Sequence, residues 1–487
     1  MINRLAILMM AAAATLSAVA AKPSLRIYRD DENRADTVYS PTYYVIGVTD
    51  PGATATIDGN DCHVYRTGSF GAKVELKPGR NTIKLKATRD GKSATDELTL
   101  VYVEREGGRP AAKLPVTQDL AAPVTVVTRD GAYLQHGNGG DRLGGSKMNF
   151  LPAGIKLTAT GRTPNLYRVA LGNGDSAYIP VSSVDSVETE ALPTVNTGSV
   201  SLANTGKTDR IVMSLPRRLP FYARTDINPS TIEVTLYGAA NNSNWVTQRN
   251  TTGMVDYIDL RRESADALTL VIRLKEQYSW GYSIDYDGNN LVIDVKHRPA
   301  SLDIKDLVIG LDAGHGGPYP GAYSPSGLTE KVVNLDIVLK AAAMLREMGA
   351  TVVLTRDGDT GPSMTERKMI WRDGGVDLAV SVHNNASGNP LVPMGTSAYY
   401  KHIANRDLAM SLHDSMLELG VADFGLTGNF NFSLNAPTEY PNALVEVLFM
   451  SSLPEEELLA DPDYRTKLAR HIVQGILNYL ARVKSSL

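Results

Sequence analysis

Two histidines and two glutamates in the carboxyl-terminal part of this 487-residue chain have the types and placement to do hydrolytic chemistry. His315 stands in Asp312-Ala313-Gly314-His315-Gly316-Gly317, directly after the apolar run 307–311. The glycines let the backbone turn sharply and leave the imidazole open at the carboxyl end of a strand, where α/β sites form. Glu330 follows Gly327-Leu328-Thr329, where Thr329 can cap a helix whose first turn favours an anion. His383 ends the apolar strand 379–382. Two imidazoles and one carboxylate with an open fourth position match the donor set of a catalytic zinc ion. Glu446 lies inside Ala443-Leu444-Val445-Glu446-Val447-Leu448-Phe449, a run that demands a buried strand. A lone carboxylate there costs several kcal/mol unless it is paired, so a charged partner or a chemical role must explain it. It is suited to take a proton from an activated water and pass it to a leaving amine. Taken singly, each residue has an ordinary structural reading, and no short motif such as HExxH links them. Their joint placement at strand and helix ends carries the chemistry.

The elements that must hold these groups alternate. Strands are expected at 307–311, 351–355, 378–382 and 443–449, the first a continuous apolar run as in a sheet buried on both faces. Helices are expected at 331–348, 365–374, 405–419 and 463–483. In the first of these, Val332, Leu335, Leu339, Ala342 and Leu345 recur near 3.6 spacing and Gly349 supplies the stop. The alternation predicts a three-layer α/β domain over 302–487, with 423–441 as loop. Arg356-Asp357 is expected to form a local pair, and His402, His413 and His471 to lie on the surface or on helix faces.

Upstream the pattern is all β, so the fold class is three small all-β domains followed by the α/β domain, in line with about 150 residues per domain. Over 25–104, Ile83, Leu85 and Ala87 alternate with Thr82, Lys84 and Lys86 after the turn Lys77-Pro78-Gly79-Arg80. A linker is expected at 105–123, where prolines, Gly107-Gly108 and alternating charge cluster. Short strands return over 124–190, including 124–127, 155–157, 167–170 and 177–179. Over 197–299, Leu268, Leu270, Ile272 and Leu274 alternate with polar partners, and Arg217-Arg218 read as solvated surface residues.

Composition narrows the function. Hydrophobic residues make up 43% and charged residues 21%, which excludes wholesale disorder. The net charge of -4 gives no footprint for nucleic acid. Cys62 is the single cysteine, so no intramolecular disulfide forms and a metal site must use His, Asp or Glu. Residues 1–21 carry Arg4, an apolar run and Ala18-Val19-Ala20, the pattern of a cleaved signal peptide. No other stretch is long and apolar enough to cross a bilayer, so the expectation is an exported, soluble protein of the periplasm or cell envelope. Trp245, Trp280 and Trp371 are too scattered to form a sugar-stacking strip.

Residues 306–480 resemble the zinc-dependent N-acetylmuramoyl-L-alanine amidases. The likeness is carried, in order, by stretches 311–317, 327–335, 354–357, 381–386 and 444–451. It implies that His315, Glu330 and His383 ligate Zn2+, that Glu446 is the catalytic glutamate, and that the substrate is peptidoglycan. The reaction would cleave the amide between N-acetylmuramic acid and the L-alanine of the stem peptide, in wall remodelling or daughter-cell separation. Asn384 is expected to hydrogen-bond substrate. The family's last motif usually reads Glu-Leu-Gly-Phe, whereas Val447-Leu448 stand here between Glu446 and Phe449. Some members carry an autoinhibitory helix between the second histidine and the catalytic glutamate; one helix is expected in that interval here, and no such plug. The upstream segments resemble, in turn, bacterial immunoglobulin-like modules, a Src-homology-three-like barrel and a wall-targeting β-sandwich found beside amidases. A non-catalytic wall-binding scaffold and a zinc peptidase acting within the stem peptide stay open as alternatives. No feature identifies an activating protein.

Overall fold

The computed structural model describes residues 21–29, 36–104, 115–139, 143–249 and 251–487. Apart from Ala21, the expected signal peptide lies outside them, as does 105–114 of the expected linker. The described part is mostly β upstream and mixed α/β at the carboxyl end. It forms two compact units, Met1–Gly108 and Arg109–Leu487.

The first unit has a three-stranded antiparallel sheet of Leu25–Tyr28, Thr42–Thr49 and Ser69–Glu75. A five-stranded sheet accompanies it, with Gly79–Arg89 and Lys92–Tyr102 at its centre. Alternation works as the sequence implies: Ile83, Leu85 and Ala87 are buried while Thr82, Lys84 and Lys86 face water.

The second unit opens on a seven-stranded antiparallel sheet whose longest strand is Gln118–Thr128. That strand begins inside the stretch read as linker, because its amino end pairs with Gly161 and Arg162 beyond a bulge. Two further sheets follow, of five and four strands, with Thr208–Met213 and Ala267–Leu274 among them. Arg217 and Arg218 are half-buried rather than solvated. Arg218 donates to the carbonyls of Ala153 (2.7 Å) and Gly288 (2.9 Å), tying the seven-stranded sheet to its neighbour.

The carboxyl-terminal elements are β1 (Val308–Ala313), α1 (Glu330–Glu347), β2 (Thr351–Leu354), α2 (Met364–Asp373), β3 (Leu378–Asn385), β4 (Thr396–Tyr399), α3 (Arg406–Leu417), β5 (Asp423–Thr427), β6 (Asn442–Phe449), α4 (Leu453–Ala460) and α5 (Pro462–Ser485). The strands form one sheet in the order β2-β1-β3-β6-β4-β5, parallel except where β4 meets β6. Every residue of β6 is buried, as its apolar run requires. Helix α1 ends at Gly349, whose φ of +92° only glycine adopts cheaply. The expected loop 423–441 contains β5; it is an edge strand with an exposed Phe424, so its sequence shows no alternation. Helix α4 has apolar and acidic residues buried together and therefore no periodic stripe for the sequence to show.

Helices α3 and α5 cross closely at Gly475. A Cβ there would sit 2.7 Å from the Leu412 Cα and 3.0 Å from the Ser411 carbonyl oxygen, both backbone atoms that cannot rotate away. Gly475→Ala gains about 1 kcal/mol of helix propensity, but overpacking of this kind costs about 1–3 kcal/mol. A lower thermal midpoint is expected; a raised one would show that the helices separate freely.

Candidate metal centre and active site

Strand β1 delivers Asp312 and Ala313 to the sheet's carboxyl edge, where the chain turns through Gly314–Gly317. His315 itself has a φ of +62°, a costly conformation for a residue with a Cβ. A Cβ on Gly314 would come within 2.2 Å of the His383 ring, so only glycine lets that ring lie against the loop. The two imidazoles meet edge to face, centroids 4.9 Å apart.

Glu330 is the first residue of α1 and is 4% exposed. One oxygen, Oε1, lies 3.0 Å from His383 Nδ1 and accepts the Asn384 backbone N–H (3.1 Å) and the Asn334 side-chain amide (3.1 Å). The other, Oε2, lies 3.0 Å from His315 Nε2 and accepts the Ala322 N–H (2.9 Å). Thr329 occupies the cap position but its side chain makes no capping bond. The first amides of the helix are already taken by the Ala322 and Pro320 carbonyls, leaving that hydroxyl no donor to serve. Burial alone would raise the Glu330 pKa; hydrogen bonds and charge from both histidines outweigh it and hold the carboxyl well below its usual range. Burial likewise opposes the His383 imidazolium, and Glu330, Glu446 and Asp312 more than restore it.

Donor atoms of His315, Glu330 and His383 all lie within 4.8 Å of one another. A Cβ on Gly321 would reach 2.3 Å from Glu330 Oε2 and 2.7 Å from His315, so the preceding loop cradles the group at van der Waals range. Two neutral-capable nitrogens and one carboxylate held ionised are a donor set that fits a divalent metal ion.

Glu446 lies on β6 in register with His383 and is 8% exposed. Beyond it the ladder slips: His383–Asn385 on β3 spans the same distance as Glu446–Phe449 on β6, one residue more. The sequence departure at Val447-Leu448 therefore falls on a β-bulge, a feature that re-aims side chains. Helix α3, between His383 and Glu446, packs on β4, β6 and α5.

Several positioning groups carry no signal strong enough to identify from sequence. Asp312 Oδ1 accepts from Arg367 Nη1 and Thr355 Oγ1, both at 2.5 Å, and Oδ2 from Ser381 Oγ at 2.6 Å. Arg367, 1% exposed, passes on to the carbonyls of Ala313 (2.9 Å) and His315 (2.6 Å). Arg356 does not pair with Asp357. Its guanidinium reaches the carbonyls of Ala313 (2.7 Å), Gly314 (3.0 Å) and Lys331 (2.8 Å), because the turn after β2 aims it inward. Asn334, one helical turn after Glu330, also donates to the Gly314 carbonyl at 3.2 Å. Asn384, expected to meet substrate, is 2% exposed and donates to Asn334 Oδ1 at 2.8 Å. Its side chain points into this network because alternation along β3 turns it inward. His413 is buried on α3, 3.0 Å from Asp423; His402 and His471 lie 3.0 and 2.7 Å from backbone carbonyls.

Asp312→Ala leaves the Arg367 guanidinium buried without its carboxylate, which costs about 3–5 kcal/mol. A matching drop in urea stability is expected, with metal affinity lowered by about 10- to 100-fold as the His315 loop loosens. Glu455 on α4 ties the start of β4 to the end of β6, accepting the Gly395 (2.6 Å) and Phe449 (2.9 Å) amides. Burial pushes its carboxyl up to about 7 against those bonds. The folded state thus binds the extra proton, so its stabilisation is complete below the unfolded value near 4.5 and is lost as pH rises through 7. Denaturation of wild type at rising pH should show a loss on the order of 3 kcal/mol that Glu455→Gln flattens.

The N-acetylmuramoyl-L-alanine amidase family model matches residues 309–478, from β1 into α5. A germination-specific N-acetylmuramoyl-L-alanine amidase of Bacillus subtilis is 31% identical over 200 residues, covering 37% of this chain and 83% of that protein. The N-acetylmuramoyl-L-alanine amidase LytC of the same organism is 31% identical over 39% of this chain and 39% of its own length. Among solved structures, the amidase AmiC2 of Nostoc punctiforme is 32% identical over 36% of this chain and 98% of its own, with a TM-score of 0.35. Asp312 near the end of β1, Glu330 at the start of α1 and Glu446 on β6 all fall inside the matched stretch: the chain belongs to the N-acetylmuramoyl-L-alanine amidases.

Proposed function

We propose that this protein is an exported, zinc-dependent hydrolase of peptidoglycan that severs the amide between the lactyl group of N-acetylmuramic acid and the L-alanine of the stem peptide. Its architecture on this reading is three small all-β domains, near 25–104, 124–190 and 197–299, and a three-layer α/β catalytic domain over 302–487. The observation that carries the reading is the convergence of His315, Glu330 and His383 donor atoms within 4.8 Å, in register with the buried Glu446.

His315, Glu330 and His383 would hold the zinc ion. When bound, it contributes Lewis acidity toward the scissile carbonyl and the attacking water. Glu446 accepts the proton that water loses on attacking the carbonyl carbon, then returns it to the alanine nitrogen as the C–N bond breaks. Water is consumed, and the products are a lactyl carboxylate and a stem peptide with a free amine. Glu330 has the firmest support: a carboxylate kept ionised in a buried site offers charge that solvent does not screen. Asn334 and Asn384 position that carboxylate, while Arg356 and Arg367 hold the loop of His315. The upstream modules would keep the enzyme on the wall.

The decisive experiment is Glu446→Ala assayed on purified peptidoglycan with zinc content measured in parallel. Hydrolysis should fall by about 10²–10⁴-fold with the metal retained. Undiminished turnover would exclude Glu446 as the base. Mass analysis of wild-type products should show free tripeptide or tetrapeptide stems; shortened peptides still attached to muramic acid would identify a stem peptidase instead. Zinc removal by a chelator should abolish release, and restoring zinc should recover it.

A further inference from the structure

A concavity of about 720 Å³ opens where the seven-stranded sheet, the sheet containing Tyr282–Asp287 and the carboxyl-terminal domain meet. It includes none of the four proposed catalytic-site residues. Its lining on the catalytic domain includes Thr438–Tyr440, just before β6 begins, whereas Glu446 sits farther along that strand. The junction is built in detail: Tyr282 N–H donates to the Thr438 carbonyl at 2.7 Å, and Asn431 donates to the Gly145 carbonyl at 2.7 Å.

Three lysines face this space from separate elements: Lys147 from the strand Lys147–Leu151, Lys368 from α2, and Lys401 from the turn after β4. Among the described residues none of the three ammoniums has a carboxylate within 4.0 Å, although Asp130, Asp285 and Glu439 share the lining. Each is held in place by neutral groups. Lys147 Nζ lies 5.0 Å from the centre of the Tyr133 ring and Lys368 Nζ 4.5 Å from that of Phe150. Lys401 Nζ donates to the side-chain oxygens of Asn429 (2.9 Å) and Asn431 (3.3 Å). Burial lowers the pKa of all three. Lys147 lowers Lys368 and Lys401 further by repulsion, Glu439 partly offsetting this at Lys368, and Lys401 reaches about 8. Like charges gathered in a concave, half-desolvated site attract a counter-anion more strongly than the same charges on open surface. The space is of the size that holds a small organic molecule and far exceeds a single inorganic ion. Apolar surface from Phe150, Phe221 and Tyr282 suits a carbon skeleton between the charged ends.

We propose that this junction is a binding site for a small organic polyanion, an acidic peptide with two or more carboxylates, separate from the metal centre. A bound peptide would bridge Lys147 of the β module to Lys368 and Lys401 of the catalytic domain and so hold the two together. The site stands on its own residues and does not depend on the reaction proposed for Glu446.

Calorimetric titration of the full chain with γ-glutamyl-glutamate, at low salt, tests this directly, with acetate and inorganic phosphate as comparators. The dipeptide should bind at least about tenfold more tightly than either comparator. Lys147→Gln/Lys368→Gln should weaken it at least about tenfold, while Lys147→Arg/Lys368→Arg retains binding. As a readout on unmodified protein, the dipeptide should protect Lys147 and Lys368 from acetylation, followed by peptide mass mapping. No binding heat, phosphate binding as tightly as the dipeptide, undiminished affinity in the glutamine variant, or unprotected lysines would each overturn the proposal.

Discussion

The site depends on one carboxylate that has been taken out of water without being neutralised. Glu330 sits at the first turn of α1, where the helix's partial positive charge favours an anion, and its two oxygens divide five donors between them. Removing a charge from water is unfavourable by several kcal/mol unless such donors replace the hydration shell. Here they do, and the same two imidazoles that stabilise the charge stand ready to share a metal with it. The anion's need for partners thus fixes the geometry of the histidines, which in turn fixes where the strands carrying them must end.

The loop around His315 shows what that arrangement requires of the backbone. A left-handed histidine and glycines that leave no room for a Cβ are unfavourable locally and persist only if the surroundings impose them. Arg356 and Arg367 impose them by collecting the carbonyls of Ala313, Gly314 and His315. Arg367 is itself buried beside Asp312, which is satisfied by Thr355 and Ser381. A chain of ionic and hydrogen-bonded contacts therefore runs from the sheet interior to the face that carries His315, Glu330 and His383. Apolar packing alone supplies no comparable directionality.

The β modules of the second unit are more than tethers to the catalytic domain. A connected apolar core extends from Val126 to Val483, and backbone hydrogen bonds cross the junction. At Gly281, with a φ of +111°, the backbone comes so near Glu439 that a Cβ would lie 2.3 Å from its carbonyl carbon. Such contact makes the junction a place where chemistry from separate modules converges, as the three lysines show.

Sequence alone was enough for the elements that follow a single period and for residues whose type conflicts with their surroundings. The alternating strand of Ile83, Leu85 and Ala87, the helix ending at Gly349, and the apolar run of β6 each follow from local patterns of burial. Glu446 stood out because a charge in such a run demands a reason, and His315 because glycines flank it. Tertiary structure decided everything that depends on partners distant in sequence. It turned Asn384 inward to Asn334, sent Arg356 to carbonyls far along the chain rather than to Asp357, made an edge strand of 423–427, and folded a linker's end into a sheet. Periodicity reports which face of an element is buried, whereas a hydrogen bond between residues tens of positions apart leaves no local pattern to read.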